Sequence, residues 1–559
     1  MAKVLVYNGA HAGAAHSLVG VFRQATGGHY DVQAVTLEAL HAAPWEASTC
    51  MIVLGPIDAS DALWQPSDAS RAALAKIRTW TEYGGILMAV GEAANHLCLV
   101  LEASGASSAG AAVTVPHGQG HLLLFRTANP SAGDLVPFLR SLKIHCGTQD
   151  APAQQLSPLY VTALAAPLLD TWLQHLLAPA SRTGTPPTWL KEAPTALAVW
   201  ETIPAASVLE AWDATDALAV VAVRPSEWAD VAPRTPHFRM DIYYEALSAA
   251  RARSSVLPWP SPRSFQVSVG NLLVYGERVS STQTLLESDR HLLRACPSGT
   301  TVIATHQVRG RGRAHNAWLS PLGCLPFSTT VHLPLHIGNK AVFLQYLAAL
   351  AIVYGLEAAY PAIQGRVRIK WPNDIYAQVP TAQLGSVCLA ADGQPRHFVK
   401  IGGILVTAVC EGDTFYAIVG CGVNCLNDEP TTSIQELAAQ AGSTGVLLES
   451  CAGAIHAALE SLLRVWADHA HSFAPFVPAY RRAWLHSDQV VTLVGAPGPP
   501  RRIVGVTSEH GLLRTVPVDA AVHASDAHAW LAPTVPGAVD VQPDGNSFDL
   551  LAGCVRPKN

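Results

Sequence analysis

The sequence predicts a multidomain protein: an α/β region at the front, a mixed α+β body, and a small β module at the end. Three observations predict it. At 559 residues the chain has room for roughly three or four domains of ordinary size. Apolar residues make up 49% of it and charged residues 14%, so buried cores are the expectation and disorder is not. Its texture also changes twice, near residues 147 and 262.

At the front, Val4–Tyr7 reads as a short strand, Ala72–Thr81 as a helix and Ile86–Val90 as a second strand. From 147 to 262 the composition shifts toward Ala and Pro. Ala178–Pro187 and Pro258–Pro262 are the clearest linker candidates there, so this stretch is expected to connect rather than fold. Beyond it, Phe265–Val279 reads as paired strands, Asn339–Ala358 as a buried helix and Val367–Tyr376 as a strand. Lys400–Val409 and Tyr416–Val423 flank an Asp413-containing turn. Leu448, Cys451, Ile455, Leu459, Leu462 and Trp466 recur at helical spacing. Residues 489–559 hold short strands, interrupted by an Ala-, His- and Asp-rich insertion at Val518–His528. The expected domains are therefore 1–146, a connecting region 147–262, a body 263–488 and a β module 489–559.

Charge and cysteine usage narrow the partners. A net charge of −6 argues against a chain built to bind nucleic acid or an anionic membrane. Eleven cysteines without a CxxC pair read as reduced thiols of an intracellular protein. The start, Met1 to Ala10, has neither an apolar signal region nor an Arg-rich leader, and the apolar run Ala341–Tyr354 is short for a bilayer span. A cytoplasmic protein is expected. No histidine pair has convincing zinc spacing with a third ligand, so no metal site is expected; Asp468, His469 and His471 read as a polar helix end. Neither a GxSxG elbow nor a GxxxxGK[ST] loop occurs.

Three motifs carry chemistry. In Gln307 to Arg313, Gly310 and Gly312 let the backbone approach a ligand, while Arg309, Arg311 and Arg313 offer fixed positive forks suited to a carboxylate or phosphate. An arbitrary sequence of this kind is more often a solvated basic turn; the nearby Gln307 and Trp318 shift the balance. In Lys370-Trp371-Pro372-Asn373-Asp374 the proline ends strand pairing, placing Asn373 and Asp374 at a sheet edge or loop. Ordinary turn chemistry would explain that motif alone. Third, Lys400 to Ile404 opens a strand with a lysine and two glycines. If the hairpin turns between Gly412 and Asp413, Lys400 faces Asn424 or Cys425, so a cation and an amide meet at one end of the hairpin.

Taken in order, these pieces resemble the catalytic region of biotin protein ligases, also called holocarboxylase synthetases. The matching blocks are Ser281-Thr282-Gln283; Gly310 to Arg313 with Asn316 and Trp318; Ser320, Pro321 and Gly323; Lys370 to Asp374; Lys400 to Leu405; and Gly420 to Asn424. The resemblance covers roughly 265–490, with 491–559 similar to the family's SH3-like C-terminal domain. It implies a catalytic domain related to class II aminoacyl-tRNA synthetases. It also implies an ATP-dependent activity that makes biotinyl-5′-AMP from biotin and Mg²⁺-ATP, then moves biotin to a lysine of a carboxylase's biotin carboxyl carrier domain.

By the same resemblance Arg313, Lys400, Lys370 and Asp374 are catalytic. Ser281, Thr282, Gln283, Gln307, Gly310, Arg311, Gly312, Arg313, Lys400, Gly403 and Gly420 bind biotin, and Arg313, Trp318, Asn373 and Asn424 bind ATP. A carboxylate attacking an α-phosphate brings two anions together, which is work for arginine and lysine. Cys421 and Cys425 lie near these blocks without an identifiable base, so neither is expected to act as a nucleophile. One departure stands out: Ala314-His315 replaces a glycine common in the family, which removes backbone freedom from the loop. The N-terminal region resembles the glutamine-amidotransferase-like extension of large eukaryotic biotin ligases. Gly91 stands at the nucleophile's place there, so the domain is expected to be non-catalytic. It does not resemble a winged-helix DNA-binding domain. The alternatives are a lipoate–protein ligase of the same superfamily and a non-catalytic biotin- or carrier-binding regulator.

Overall fold

A computed structural model describes residues 3–7, 9, 12–26, 30–42, 45, 49–58, 60–82, 85–100, 112–117, 120–125, 130–142, 144, 146, 156–178, 186–190, 196–210, 212, 217–253, 267–312, 318, 320–380, 386–389, 395–427, 432–493, 498–542, 546–549 and 554–557. Two compact units emerge: Met1–Ala153 with Pro380–Val387, and Gln154–Val379 with Cys388–Asn559.

The first unit is α/β, as expected. Its strands are β1 (Lys3–Tyr7), β2 (Asp31–Val35), β3 (Thr49–Leu54), β4 (Ile86–Val90), β5 (Ala112–His117) and β6 (Gly120–Phe125), in the spatial order β2-β1-β3-β4-β6-β5. All neighbours are parallel except β5 and β6. A parallel strand is covered on both faces, which is why Ile86–Val90 is apolar without alternation and buried throughout. The helices are α1 (Ala12–Ala25), α2 (Leu37–Ala42), α3 (Asp68–Glu82), α4 (Glu92–Val100) and α5 (Ala132–Ser141). Ala73, Ile77 and Trp80 form the buried stripe of α3, and a Ser131–Asp134 capping box opens α5. Gly91 is the single residue between β4 and α4, at φ +63°, a conformation costly for any residue with a Cβ.

The second unit is built on one long sheet. Its strands are β7 (Leu159–Ala163), β8 (Thr188–Leu190), β9 (Leu197–Trp200), β10 (Leu218–Val223), β11 (Leu272–Val279), β12 (Thr301–Gln307), β13 (Cys324–Pro334), β14 (Val367–Lys370), β15 (Asp374–Val379), β17 (Pro395–Glu411) and β18 (Thr414–Asn424). They run in the order β14-β15-β17-β18-β13-β12-β11-β7-β10-β9-β8, while β16 (Ser386–Leu389), cut by the boundary between the units, lies off that path. The helices here are α6 (Ala166–Leu177), α7 (Ala206–Glu210), α8 (Trp228–Val231), α9 (Met240–Ala252), α10 (Thr282–Ser288), α11 (Arg290–Ala295), α12 (Val342–Ala359), α13 (Ile434–Gln440), α14 (Leu448–Asp468), α15 (Val477–Ala483) and α16 (Ala527–Leu531). The helical stretch Leu335–Ala359, which contains α12, is long and apolar enough by composition to cross a membrane, yet α12 is a core helix, buried from Phe343 through Val353. A second sheet closes the chain: β19 (Val490–Leu493), β20 (Arg501–Val506), β21 (Leu513–Pro517), β22 (Val539–Val541), β23 (Asn546–Asp549) and β24 (Cys554–Pro557), ordered β22-β21-β20-β19-β24-β23.

Three expectations need correction. Residues 147–262 are not simply a connection: β7, β8, β9 and β10 extend the main sheet, with β7 antiparallel to β11. α9 is fastened to α14 by polar contacts. Arg251 reaches Glu460 Oε2 at 2.5 Å, and the Tyr243 hydroxyl lies 2.9 Å from His456 Nδ1; within α14 itself Arg464 holds Glu460 Oε1 at 2.7 Å. Of the two linker candidates, residues 179–185 and 258–262 lie outside the described residues. Next, Phe265–Val279 supplies one described strand, β11, whose partners are β12 and β7. Finally, Val367–Tyr376 is two strands, β14 and β15, folded back at Trp371–Asn373. Proline ends the pairing of the first, and Asp374 opens the second.

Candidate active site

Paired residues of a ladder share a face. The β17–β18 register pairs Gly403 with Gly422, Leu405 with Gly420 and Thr407 with Ile418, and β13 adds Ser328 opposite Gly420. These residues form one face. The opposite face, with Ile404, Val419, Cys421, Val423 and Phe327, joins the core that contains α12 and α14. The hairpin register matches the expected one. Its ladder ends at Gly402 and Val423, however, and Lys400 pairs with Tyr376 of β15 instead. A bulge at Ile401 inserts one extra residue, which puts Lys400 on the face of Gly403 although three positions separate them.

There Lys400 Nζ meets Asp374 Oδ1 at 2.7 Å, and Lys370 Nζ lies 3.9 Å from the other carboxylate oxygen. Lys370 Nζ also donates to the Tyr376 hydroxyl at 3.4 Å. Burial pushes the Asp374 carboxyl up, but the charges of Lys400 and then Lys370 outweigh it, and the group titrates below its ordinary value. It is a carboxylate at neutral pH. The Asn373 amide donates to the Ile404 carbonyl at 2.8 Å, and Ile404 N–H returns a bond to Asn373 O at 2.9 Å, so this residue ties the turn to β17.

The other end of the face is neutral. Ser281 caps α10, accepting from Thr284 N at 3.4 Å. Thr282 donates from its N–H (2.9 Å) and hydroxyl (3.2 Å) to Gln307 Oε1, whose amide nitrogen donates to Ser320 Oγ at 2.9 Å. Gln283 donates to Thr407 Oγ1 at 2.6 Å and to the Ile418 carbonyl at 3.0 Å, and accepts from Ser328 Oγ at 3.0 Å. A Cβ on Gly420 would stand 2.3 Å from Gln283 Oε1, so that glycine makes the room for the amide.

Between the two ends lies Trp318. Its N–H donates to the Gly310 carbonyl at 2.8 Å, and its ring lies over Gly422, where a Cβ would come within 2.3 Å of the indole. Lys400 Nζ is 5.9 Å from the ring centroid, within cation–π range. Arg311 pairs with Glu287 of α10. Gly312 is described beside it; Arg313, Ala314-His315 and Asn316 lie outside the described residues. Asn424 ends β18 opposite Cys324, about nine-tenths buried. Burial drives the thiols of Cys421 and Cys425 well above their ordinary range.

Ser328, Thr407, Glu287 and Tyr376 are site residues that the sequence reading missed. A signal existed for Thr407: it has the parity of Gly403, so alternation along the strand places it on the same face. Among the described residues no group of three His, Cys, Asp or Glu side chains is placed to hold a metal.

Comparison with known proteins bears on this geometry. Residues 275–424 match the Biotin/lipoate A/B protein ligase family. A human protein named biotin–protein ligase is 27% identical over 434 residues, covering 76% of this chain and 50% of the relative. A Schizosaccharomyces pombe protein of the same name is 33% identical over 291 residues, covering 50% of this chain and 43% of the relative. This chain thus spans half or less of the length of those two proteins. A solved biotin protein ligase from Aquifex aeolicus, in complex with biotin and ATP, is 22% identical, covering 51% of this chain and 99% of that one, with a TM-score of 0.34. Residues 275–424 are thus similar to the biotin/lipoate A/B protein ligase family, and the chain is similar to biotin–protein ligases of human and fission yeast.

Proposed function

We propose that this chain is a biotin–protein ligase: it joins biotin to AMP at the expense of ATP, then passes biotin to a lysine of a biotin carboxyl carrier domain. The observation that carries this reading is the division of one sheet face into a neutral end and a charged end. A ureido ring is neutral and rich in hydrogen-bonding groups, which suits Ser281, Thr282, Gln283, Gln307 and Ser328. The acid's other end is anionic and must meet an anionic phosphate, which suits Lys400 and Lys370, with Arg311 added on the strength of the resemblance.

In this mechanism the neutral network fixes the acid by its ring, so that its carboxylate lies toward Lys400. Lys400 exchanges part of its contact with Asp374 for the carboxylate and the α-phosphate, and stabilises the charge that builds as the new C–O–P bond forms and pyrophosphate leaves. Lys370 keeps Asp374 ionised while Lys400 is engaged. Asp374 is then free to accept a hydrogen bond from the carrier's lysine, whose uncharged amine attacks the mixed anhydride and expels AMP. Trp318 offers a ring face for the adenine, and Asn373, Asn424 and Arg313 belong to the nucleotide side on the strength of the resemblance. Magnesium enters as part of the ATP substrate. The one carboxylate on this face that the mechanism uses, Asp374, is engaged by lysines, and no step is assigned to the ion.

The finer fold assignments form part of the same reading: a class II synthetase-like catalytic domain, an SH3-like C-terminal sheet, and an amidotransferase-like front that does no chemistry. Gly91 at a left-handed strand-to-helix elbow supports the last, since such an elbow without a thiol has no nucleophile to present. A cytoplasmic location belongs to the proposal as well. The test is biotin-dependent ATP–pyrophosphate exchange on the full chain, with lipoate in parallel. Exchange with biotin alone supports the reading. Exchange with lipoate alone replaces the substrate, and no exchange with either, from folded protein, removes the ligase reading.

A further inference from the structure

The turn that presents Lys370 and Asp374 is braced from outside the main sheet. The Ile369 carbonyl accepts from Leu485 N at 2.9 Å, and Trp371 N–H donates to His486 Nε2 at 3.0 Å. The Trp371 indole donates to the Tyr346 hydroxyl at 3.1 Å, which donates to the Gly511 carbonyl at 2.6 Å. His486, Trp371 and Tyr346 are all fully buried. Because Nε2 of His486 is an acceptor, its proton sits on Nδ1, which faces Gln489 Oε1 at 3.1 Å. The backbone carbonyl of Gln489 accepts from Ile503 N in β20 at 2.8 Å. A path therefore runs from the second residue of the Lys-Trp-Pro-Asn-Asp motif, through one imidazole and the body of Gln489, into the C-terminal sheet.

We infer that His486 is a positioning residue: through it the C-terminal sheet sets where Lys370 and Asp374 stand, and hence how fast the adenylate forms. This rests on the ligase reading above. The physical reason is that an acceptor at this point fixes the peptide N–H immediately after Lys370. Without it, that N–H is buried and unpaired, and the turn must shift to find another partner. Lys370 and Asp374 act through charge placed at a particular point, so a displacement of about 1 Å costs on the order of 10²-fold in rate. Burial, with the Lys370 charge adding to it, holds the ring's pKa down at about 3, so the neutral form that can accept is the form present across the working range.

The experiment measures biotin-dependent exchange on full-length His486→Leu, His486→Gln and Tyr346→Phe, with urea unfolding on each. His486→Leu is expected to lose about tenfold or more in kcat, with KM for biotin within about twofold, because the neutral network is untouched. His486→Gln, which keeps an acceptor at similar reach, is expected to recover most of that loss. A folded His486→Leu protein with unchanged kcat overturns the inference, as does a loss that appears only as lower stability. So does failure of Gln to rescue. If His486→Leu does not fold, Tyr346→Phe decides: it removes one oxygen from the same brace, and an unchanged kcat overturns the inference while a drop of about threefold or more supports it. An unsubstituted chain without exchange overturns the ligase reading, and this inference with it; an active chain with indifferent variants overturns this inference alone.

Discussion

The two ends of the site solve opposite problems on one sheet face. At the neutral end every group is partnered with another: Thr282 with Gln307 and Ser328, Gln283 with Ser328, Thr407 and the Ile418 carbonyl. At the charged end two cations share one carboxylate, leaving more positive than negative charge. The neutral end resists rearrangement because its mostly buried polar atoms satisfy one another in a linked network. The charged end has spare capacity, because an arriving anion supplies what the second lysine lacks. On the proposed reading the difference separates specificity from rate: recognition in the closed network, acceleration in the uncompensated charge.

That comparison can be broken by experiment. The largest effect is expected from Lys400→Ala, which should lower the exchange rate by about 10²–10³-fold, the scale for losing a preorganised charge at a developing anion. If the loss falls in KM for biotin with kcat intact, the lysine belongs to recognition and the division fails. Gln283→Leu should do the reverse. It removes one partner each from Ser328, Thr407 and the Ile418 carbonyl, costing ~1–3 kcal/mol of stability in a urea titration, and should raise KM for biotin about tenfold or more while largely sparing kcat. Gly422→Ala tests the region between the ends. A Cβ there meets the indole of Trp318, so a cost of ~1–3 kcal/mol in stability is expected, with KM for ATP rising more than KM for biotin.

The smallest effect concerns pH. Asp374 titrates below its ordinary value in the folded chain, so its contribution to stability is present above the unfolded carboxyl pKa of ~3.9 and is lost as pH falls through the folded value. The gap in urea midpoint between the unsubstituted chain and Asp374→Asn should therefore narrow below about pH 4. A gap independent of pH would mean that the lysines do not depend on the carboxylate's charge.

Much of this site was legible in the sequence because its pieces obey local rules. Gly412 and Asp413 fix the hairpin, and the hairpin fixes which residues oppose Gly402, Gly403 and Leu405. What escaped was the exception to alternation. The bulge at Ile401 has no composition of its own, so counting by twos sent Lys400 toward Asn424 or Cys425 instead of Asp374. Ser328 and Thr407 escaped because hydroxyl residues within strands read as ordinary strand formers, and their partners on Gln283 are distant in sequence. The region 147–262 was misread on composition. Its Ala and Pro content suggested a connection, although the unbroken apolar run Leu218–Val223 is what a strand buried on both faces requires. The N-terminal elbow at Gly91 was legible as a place, since a single glycine separates an apolar strand from a helix there.

The contact of α9 with α14 has a consequence for where the second unit can begin. A chain started at residue 263 would keep every motif of the site, yet it would expose the whole hydrogen-bonding edge of β11 that β7 now covers. It would also leave Glu460, 4% exposed, without the guanidinium of Arg251. A bare edge strand templates association with other copies, and a half-paired buried carboxylate weakens the helix that backs the site. A fragment started near residue 156 keeps both β7 and Arg251 and is expected to associate less than one started at 263, so its N-terminal boundary is set by an uncovered strand rather than by the predicted motifs.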